Sequence, residues 1–389
     1  MTPLSVLDLA PIPAGGTARD ALRNTLDLAR RTEAAGYRRY WLAEHHLAPG
    51  VASAAPQVLI EAVAAATSRI RVGSGAVQTG HWTPLSIVEQ FGTIDALHPG
   101  RIDLGLGRSG QRRAEAAARP AAPPKPAREA EVVDGLLIPA PFDFTRLAAS
   151  AAFGLHGALL QQPGAESPGF AGVVDDIAAL IAGTYARDGQ EAHATPGEGA
   201  DLALWILGSS GGESARVAGE RGLPFAANYH VSPSNVLEAV EAYRAAFRPS
   251  DVLDEPYVIV SADAVVAPTD EEARELASPY ALWVHSIRSR LAAIPFPTPV
   301  QAAAHEWRPE DLDLVADRVD TQFAGAPGTV VDGLATLQRV TGADELLITT
   351  ITHDHADRVR SYELLAAAWD RAAPPVTAPP VTVPRQARH

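Results

Sequence analysis

The chain has 389 residues, 47% of them hydrophobic and 20% charged, and a formal net charge of -14, the make-up of a globular, enzyme-sized protein and not of a disordered or fibrous one. Its acidity speaks against nucleic acid, whose phosphates need a basic face; the tightest cationic cluster is Arg112-Arg113, with Arg108, Arg119, Lys125 and Arg128 around it. The absence of cysteine excludes a disulfide framework, a thiolate nucleophile and a cysteine-held cluster, and with Lys125 as the single lysine neither a Schiff-base barrel nor a Walker-type phosphate loop can be built.

Along the chain, short apolar segments alternate with amphipathic ones. Strands are predicted at 4–9, 39–43, 70–77, 101–107, 202–208, 224–227, 257–266 and 345–350. Helical patterns run over 17–35, 56–66, 84–97, 213–221, 235–247 and 354–369. Continuous apolar strands of about five residues, each followed by a helix, predict a parallel sheet buried on both faces. Eight repeats fit an α/β fold of the closed (β/α)8, or TIM, barrel type. The alternative, a doubly wound open sheet, wants a Gly-x-Gly-x-x-Gly turn after the first strand, and residues 11–16 do not provide one. Punctuation agrees with the parse: Thr83-Pro84 reads as an N-cap with proline at the first helical position, and Asp270-Glu271-Glu272 sets carboxylates in a first turn.

Two stretches depart from this rhythm. Residues 108–170 follow the fourth strand and carry eight prolines, and because they leave the strand's C-terminal end they are expected to form a lid. Residues 283–322 form a second insertion after the seventh strand. Residues 1–370 are thus expected to be one barrel domain, and the Pro-rich tail 371–389 to be disordered. The first ten residues lack a basic leader with a long apolar core and no apolar run reaches the length of a spanning helix, so the expectation is a cytoplasmic protein without a membrane.

Chemistry-bearing residues gather where strands end. The run Trp41-Leu42-Ala43-Glu44-His45-His46 stops a strand at a carboxylate and two imidazoles. Two adjacent histidines on an extended strand would face opposite ways, so the loop beyond Ala43 decides which of them enters a site. Gly75-Ala76 ends the third strand with small residues that let a flat ring approach the backbone, or that merely relieve crowding; Gln78, His81 and Trp82 follow. Arg108 lies just past the fourth strand. Ser209, Ser210, Gly211 and Ser214 open a helix after the fifth, where free N–H groups, the helix dipole and hydroxyls suit a phosphate as well as they suit a plain N-cap. Asn228, Tyr229 and His230 follow the sixth, as candidates for the same mouth. His353-Asp354-His355 follows the eighth and suggests a metal, but no further ligand spacing supports one and Asp354 is accounted for as a helix N-cap; no metal is expected.

In this order, four blocks resemble the luciferase-like flavin-dependent monooxygenases, the superfamily of bacterial luciferase and of related deazaflavin-dependent oxidoreductases. They are Ala35-Gly36-Tyr37 through His46, Arg71 to Val77, His98-Pro99-Gly100 through Arg108, and Leu207 to Ser214 running on to Gly222-Leu223-Pro224. The Glu-His-His form is closer to the luciferase branch. The resemblance implies a monooxygenase that takes reduced FMN from a separate flavin reductase and uses O2 to oxygenate a small organic substrate. Deazaflavin-dependent hydride transfer is the alternative, and a non-catalytic flavin-binding barrel a further one. It also implies a homodimer, a non-proline cis peptide carried to the Gly75–Ala76 bond, and an FMN phosphate held by Arg108, Ser210 and Ser214. One extra residue near Gly212-Glu213 leaves Ser209 and Ser210 as alternatives. His45 matches the active-site histidine with Glu44 as its catalytic neighbour, and His46 joins Gln78, Trp82, Asn228, Tyr229 and His230 as pocket candidates.

Overall fold

In a computed structural model describing residues 2–108, 128–143, 151–162, 164–165, 168–290 and 292–372, alternate side chains of each main strand face two different cores. The strands are Leu4–Asp8 (β1), Arg39–Leu42 (β2), Arg71–Ser74 (β3), Ile102–Gly107 (β4), Ala203–Gly208 (β5), Phe225–Asn228 (β6), Val258–Val266 (β7) and Glu345–Thr349 (β8). Each pairs in parallel with its successor, and β8 returns to β1 with Leu4 opposite Leu346 and Val6 opposite Ile348. The result is the closed eight-stranded barrel. Val6, Tyr40, Leu42, Val260 and Ile348 point outward to the helical layer, whereas Leu7, Trp41, Trp205, Ile259 and Leu347 point inward, as period-two alternation requires.

The helices follow from local signals. Thr17 and Thr83 accept hydrogen bonds from Asp20 N and Ser86 N, capping Ala18–Ala34 and Pro84–Leu97. Asp354 accepts from Ala356 N at 2.7 Å at the start of His355–Ala372. The third strand is shorter than its apolar pattern suggested. It stops at Ser74, the Gly75–Ala76 peptide is cis, and Val77–Gln78 resumes as a separate strand beside β4. A Cβ on Gly75 would lie 2.7 Å from Leu7 Cδ1 and 3.2 Å from Trp41 Cβ, so the interior core itself demands glycine there.

At the N-terminal end of the barrel the interior is charged. Arg39, 1% exposed, donates to Glu345 Oε1 at 3.0 Å and to Asp103 Oδ2 at 2.7 Å; Asp103 also receives Arg71 Nε at 2.7 Å and Trp41 Nε1 at 2.9 Å. Gly73 makes room for this carboxylate, since a Cβ there would lie 2.6 Å from that of Asp103. Burial pushes Asp103 up, but Arg39 and Arg71 outweigh it and hold the carboxyl below its usual range.

Much of the expected lid, 109–127 and 144–150, lies outside the described residues, as does the tail from 373. Between them a hairpin, Glu131–Val133 with Leu136–Ile138, buries Leu136 and Ile138. After β7 the chain runs through helices Asp270–Ala277, Pro279–Arg290, Pro299–Ala303 and Pro309–Val319, then a short strand Phe323–Gly325 on the end of β7. Residues 283–322 fall in this stretch, and Tyr280, Trp283, Val284, Phe296 and Val315 extend the barrel's interior core upward. Among the described residues no helix is long and apolar enough to cross a membrane.

Candidate active site

The C-terminal mouth of the barrel opens into a cavity of about 440 Å³, inside the range of about 300–1,000 Å³ usual for small-molecule sites. Its floor is the inward layer Leu7, Ala226 and Leu347, and the strand ends and following loops supply polar walls. Glu44, His45, His46, Gly75, Ala76, Gln78, Arg108, Ser209, Ser214, Asn228 and His230 all line it. Residues far apart in sequence are thus brought to one space.

Glu44 organises one wall. The carboxylate is 3% exposed; Oε1 receives Trp82 Nε1 at 3.0 Å and pairs with His46 Nε2 at 2.7 Å, while Oε2 receives the Gln78 amide at 2.7 Å. Gln78 Nε2 donates to the Glu44 carbonyl at 2.6 Å. With both oxygens occupied, Glu44 ties the loop after β2 to the loop after β3 instead of presenting a reactive group. Trp82 acts through that bond and does not reach the cavity wall. His46 packs edge-on against His81 at 5.7 Å.

His45 points elsewhere. Its backbone N–H donates to Ser53 O at 3.0 Å and its ring faces the open cavity. The protein around the cleft disfavours the charged form and pushes its pKa down to about 4, against the pull of Glu44. Because the ring still meets the cavity, the full shift applies when the cavity is closed to water. Across the mouth His230 sits 2.6 Å from Ser261 Oγ, and burial, Arg318 and His45 together push it down to about 3. Both imidazoles are therefore neutral at pH 7.

On the opposite side Arg108 reaches Glu213 Oε2 at 3.2 Å, in the first turn of helix Glu213–Glu220, beside Ser209 and the buried Ser214. Gly208 permits this crowding: a Cβ there would lie 2.9 Å from Ser214 Cβ and from Phe225. Ser210 and Gly211 stand off the cavity wall. Gly211 packs on Glu238, where a Cβ would come within 2.9 Å of Cγ, so its smallness lets this turn approach the helix Val236–Ala246.

Tyr229 is also turned away. Asn228 and His230 share the inward face of the strand end, and alternation sends Tyr229 outward, where it stacks on Phe323 and donates to Leu137 O at 2.7 Å. His353 and His355 do not converge, binding Ala14 O at 3.0 Å and Asp27 at 2.9 Å respectively.

Sequence reasoning missed the fourth wall. Asp263, Trp283, Ile287 and Arg318 line the cavity from β7 and the helices after it. Asp263 was detectable as the one charged residue of the nine-residue strand Val258–Val266, in phase with the inward Ile259 and Ser261. Arg318 sits in an amphipathic helix of ordinary pattern and carries no such signal. Thr349 and Trp283 of the cavity lining each carry a buried atom, Oγ1 and Nε1, with no hydrogen-bond partner among the described residues.

A closed parallel barrel whose strand ends converge on one polar-walled cavity is the plan of a (β/α)8 enzyme with its site at the C-terminal face. The chain belongs to the luciferase-like monooxygenase family, whose model matches residues 2–140 and 152–345, and it is an oxidoreductase. It is similar to a luciferase-like monooxygenase of Escherichia coli strain K12, 35% identical over 362 residues, 92% of this chain and 95% of that one. An uncharacterized Bacillus subtilis protein, YvbT, is 39% identical over 95% of this chain and 97% of its own. Among solved structures apo-MsnO8 matches with a TM-score of 0.76 at 31% identity, covering 95% and 98% of the two chains. The fold is shared more widely. The oxygenating constituent of a Pseudomonas putida 3,6-diketocamphane monooxygenase in complex with FMN gives a TM-score of 0.60 at 18% identity, covering 96% and 99%. An F420-dependent secondary alcohol dehydrogenase also gives 0.60, at 14% identity, covering 95% and 99%.

Proposed function

We propose that the chain takes reduced FMN from a separate flavin reductase and uses O2 to oxygenate a small organic molecule. The observation that carries this reading is the convergence on one cavity of a phosphate-type cradle, Arg108 with Ser209 and Ser214, a small-residue wall at Gly75-Ala76, and the neutral His45. The donor set fits the group: a cation, two hydroxyls and the first-turn amides of Glu213–Glu220 suit a phosphate. Oxygenation over hydride transfer is supported by the relative named a luciferase-like monooxygenase at 35% identity, against 14% for the F420-dependent dehydrogenase.

Reduced flavin, when bound, supplies the two electrons that let one oxygen atom enter the substrate while the other leaves as water. Arg108 and the serines hold the phosphate end, with Glu213 sharing the guanidinium. Gly75 and Ala76 support the ring. His45, neutral at pH 7, accepts or returns a proton at a ring nitrogen, and Glu44 fixes the loop that presents it. Leu7, Val51, Leu207 and Ile351 keep the reacting end dry. The same reading has the protein act in the cytoplasm, as a homodimer, with the family resemblance as its support.

The test is anaerobic titration with reduced FMN and, separately, with reduced deazaflavin, followed by mixing with oxygenated buffer. Preferential FMN binding with oxygen consumption is expected. Preference for the deazaflavin without oxygen consumption would overturn the reading in favour of hydride transfer.

A further inference from the structure

Four arginines are buried among the described residues: Arg39, Arg288, Arg318 and Arg358. Three of them meet a carboxylate directly. Arg39 meets Asp103 and Glu345, Arg288 meets Asp317 at 2.9 Å through Nη2, and Arg358 meets Asp8 at 2.7 Å. Arg318, 8% exposed, forms no ion pair among the described residues. Its Nε and Nη2 donate to Tyr280 OH at 3.1 and 2.6 Å, and Nη1 makes no hydrogen bond to any described residue. The negative group it senses is Asp263, with the Tyr280 hydroxyl between them, and Asp263 is itself held by Gln322 Nε2 at 2.9 Å.

Arg318 lines the same cavity from the helix Pro309–Val319 after β7, within electrostatic reach of His230 and Asp263, whereas Arg108 and the serine loop follow β4 and β5. A buried, cavity-facing cation with an unused donor edge and no direct counter-charge is a recognition group for an anion, because its charge is costly in the low-dielectric wall until an oxyanion arrives. Trp283, Ile287 and Leu347 add apolar surface to the same cavity.

We propose that this wall is a substrate subsite: Arg318 grips the carboxylate, or a similar oxyanion, of an otherwise apolar organic acid, held in place by the Tyr280–Asp263–Gln322 chain. The proposal rests on the reading above in that the flavin occupies the Arg108 side and leaves this wall to the substrate. Orientation follows from it. The anionic end docks at Arg318, so the oxidisable end of the molecule lies toward Gly75-Ala76 and His45.

Binding to the flavin-free protein tests the subsite apart from the flavin reading. Calorimetric titration with hexanoate and with 1-hexanol, equal in length and different in charge, is expected to show hexanoate bound about tenfold tighter or more, the worth of one charge-assisted contact. Arg318→Gln is expected to abolish that preference while leaving the affinity for reduced FMN within about twofold, a change too small to count as a lost contact. Arg318→Lys, which keeps the charge and loses the fork, is expected to keep the preference at lower hexanoate affinity, and decides the matter if Arg318→Gln does not fold. Equal binding of the two probes by the wild type overturns the proposal, as does a preference that survives in Arg318→Gln. So does a loss of FMN affinity in that variant with the preference intact, which would assign Arg318 to the flavin. Failure of the wild type to bind FMN, with the hexanoate preference present, overturns the flavin reading alone.

Discussion

Arg39 and Arg318 are both buried arginines of one barrel, at opposite ends of it. Arg39, at the N-terminal end, is enclosed by Asp103, Glu345 and the face of Trp205 at 4.7 Å. Arg318, at the C-terminal mouth, has a tyrosine hydroxyl and an open cavity. Where the strands begin, Arg39, Arg71, Asp103 and Glu345 match one another's charges; where they end, Arg318 keeps an edge that no described residue bonds, and Thr349 Oγ1 and Trp283 Nε1 have no partner among the described residues. The difference teaches which end can tolerate change. Removing a partner at the closed end leaves an uncompensated charge in the core, whereas removing a group at the mouth alters what the cavity binds.

The comparison is broken most severely at Asp103. Asp103→Ala strands Arg39 and Arg71, and the expected loss is about 3–5 kcal/mol of stability, read from the shift of the urea midpoint, with FMN affinity per folded molecule unchanged. His45→Ala tests the other end. Oxygen-coupled turnover is expected to fall by about 100- to 10,000-fold, the usual worth of a positioned acid or base, with a far smaller effect on flavin binding; equal losses in both would sink the catalytic assignment. Arg108→Ala comes next, with FMN affinity down about 10- to 100-fold while riboflavin, which lacks the phosphate, binds as before.

The smallest effect is in the pH dependence. His230 stays neutral down to about 3 in the folded protein but takes up a proton near 6.5 when unfolded, and His45, whose ring meets the open cavity, adds to this only when the cavity is closed to water. The unfolded chain therefore binds more protons, and stability falls as pH drops below about 6.5. Asp8 and Asp103 are shifted downward as well, there because the fold favours the charged form, and the consequence is the same. For Asp8 burial is outweighed by Arg358, Thr25 and Tyr40, so the carboxyls contribute stability above about 3.8 that is lost as pH falls through their lowered folded values. Urea midpoints against pH should thus decline in two stretches, and His230→Asn should flatten the first while leaving the second; an unchanged slope in this variant would refute the neutral buried imidazole.

Much of this architecture was legible because strand periodicity is a short-range signal. All eight strands were readable from apolar runs, and the residues at their C-terminal ends were readable as a mouth. Where the geometry departs from the local pattern, it does so for identifiable reasons. Tyr229 was grouped with Asn228 and His230 although alternation puts it on the other face. Gly211, read as a phosphate-loop glycine, sits in a turn packed against Glu238 of the helix Val236–Ala246, a long-range contact that no local pattern reveals. Glu44 looked catalytic beside His45, but its three hydrogen bonds come from residues 2 to 38 positions away and depend on the third strand breaking at Gly75-Ala76. Arg318 was invisible because its significance lies in a missing partner, which a sequence cannot display.

The stretch after β7 is joined to the barrel by more than its chain ends. Gly50 N–H donates to Ala293 O, Ile12 N–H to Gly50 O, Phe296 N–H to Ile12 O and Ala14 N–H to Phe296 O, each at 2.7 or 2.8 Å, and a side chain on Gly50 would strike the Ile294 carbonyl. Three loops from distant parts of the chain are laced by main-chain bonds, which only a proline at a donor position would remove. For anyone building chimeras to alter what this pocket accepts, the unit of exchange is consequently not one segment: a transplanted 279–322 must bring matching loops after the first and second strands, or the graft will leave backbone donors bare above the cavity.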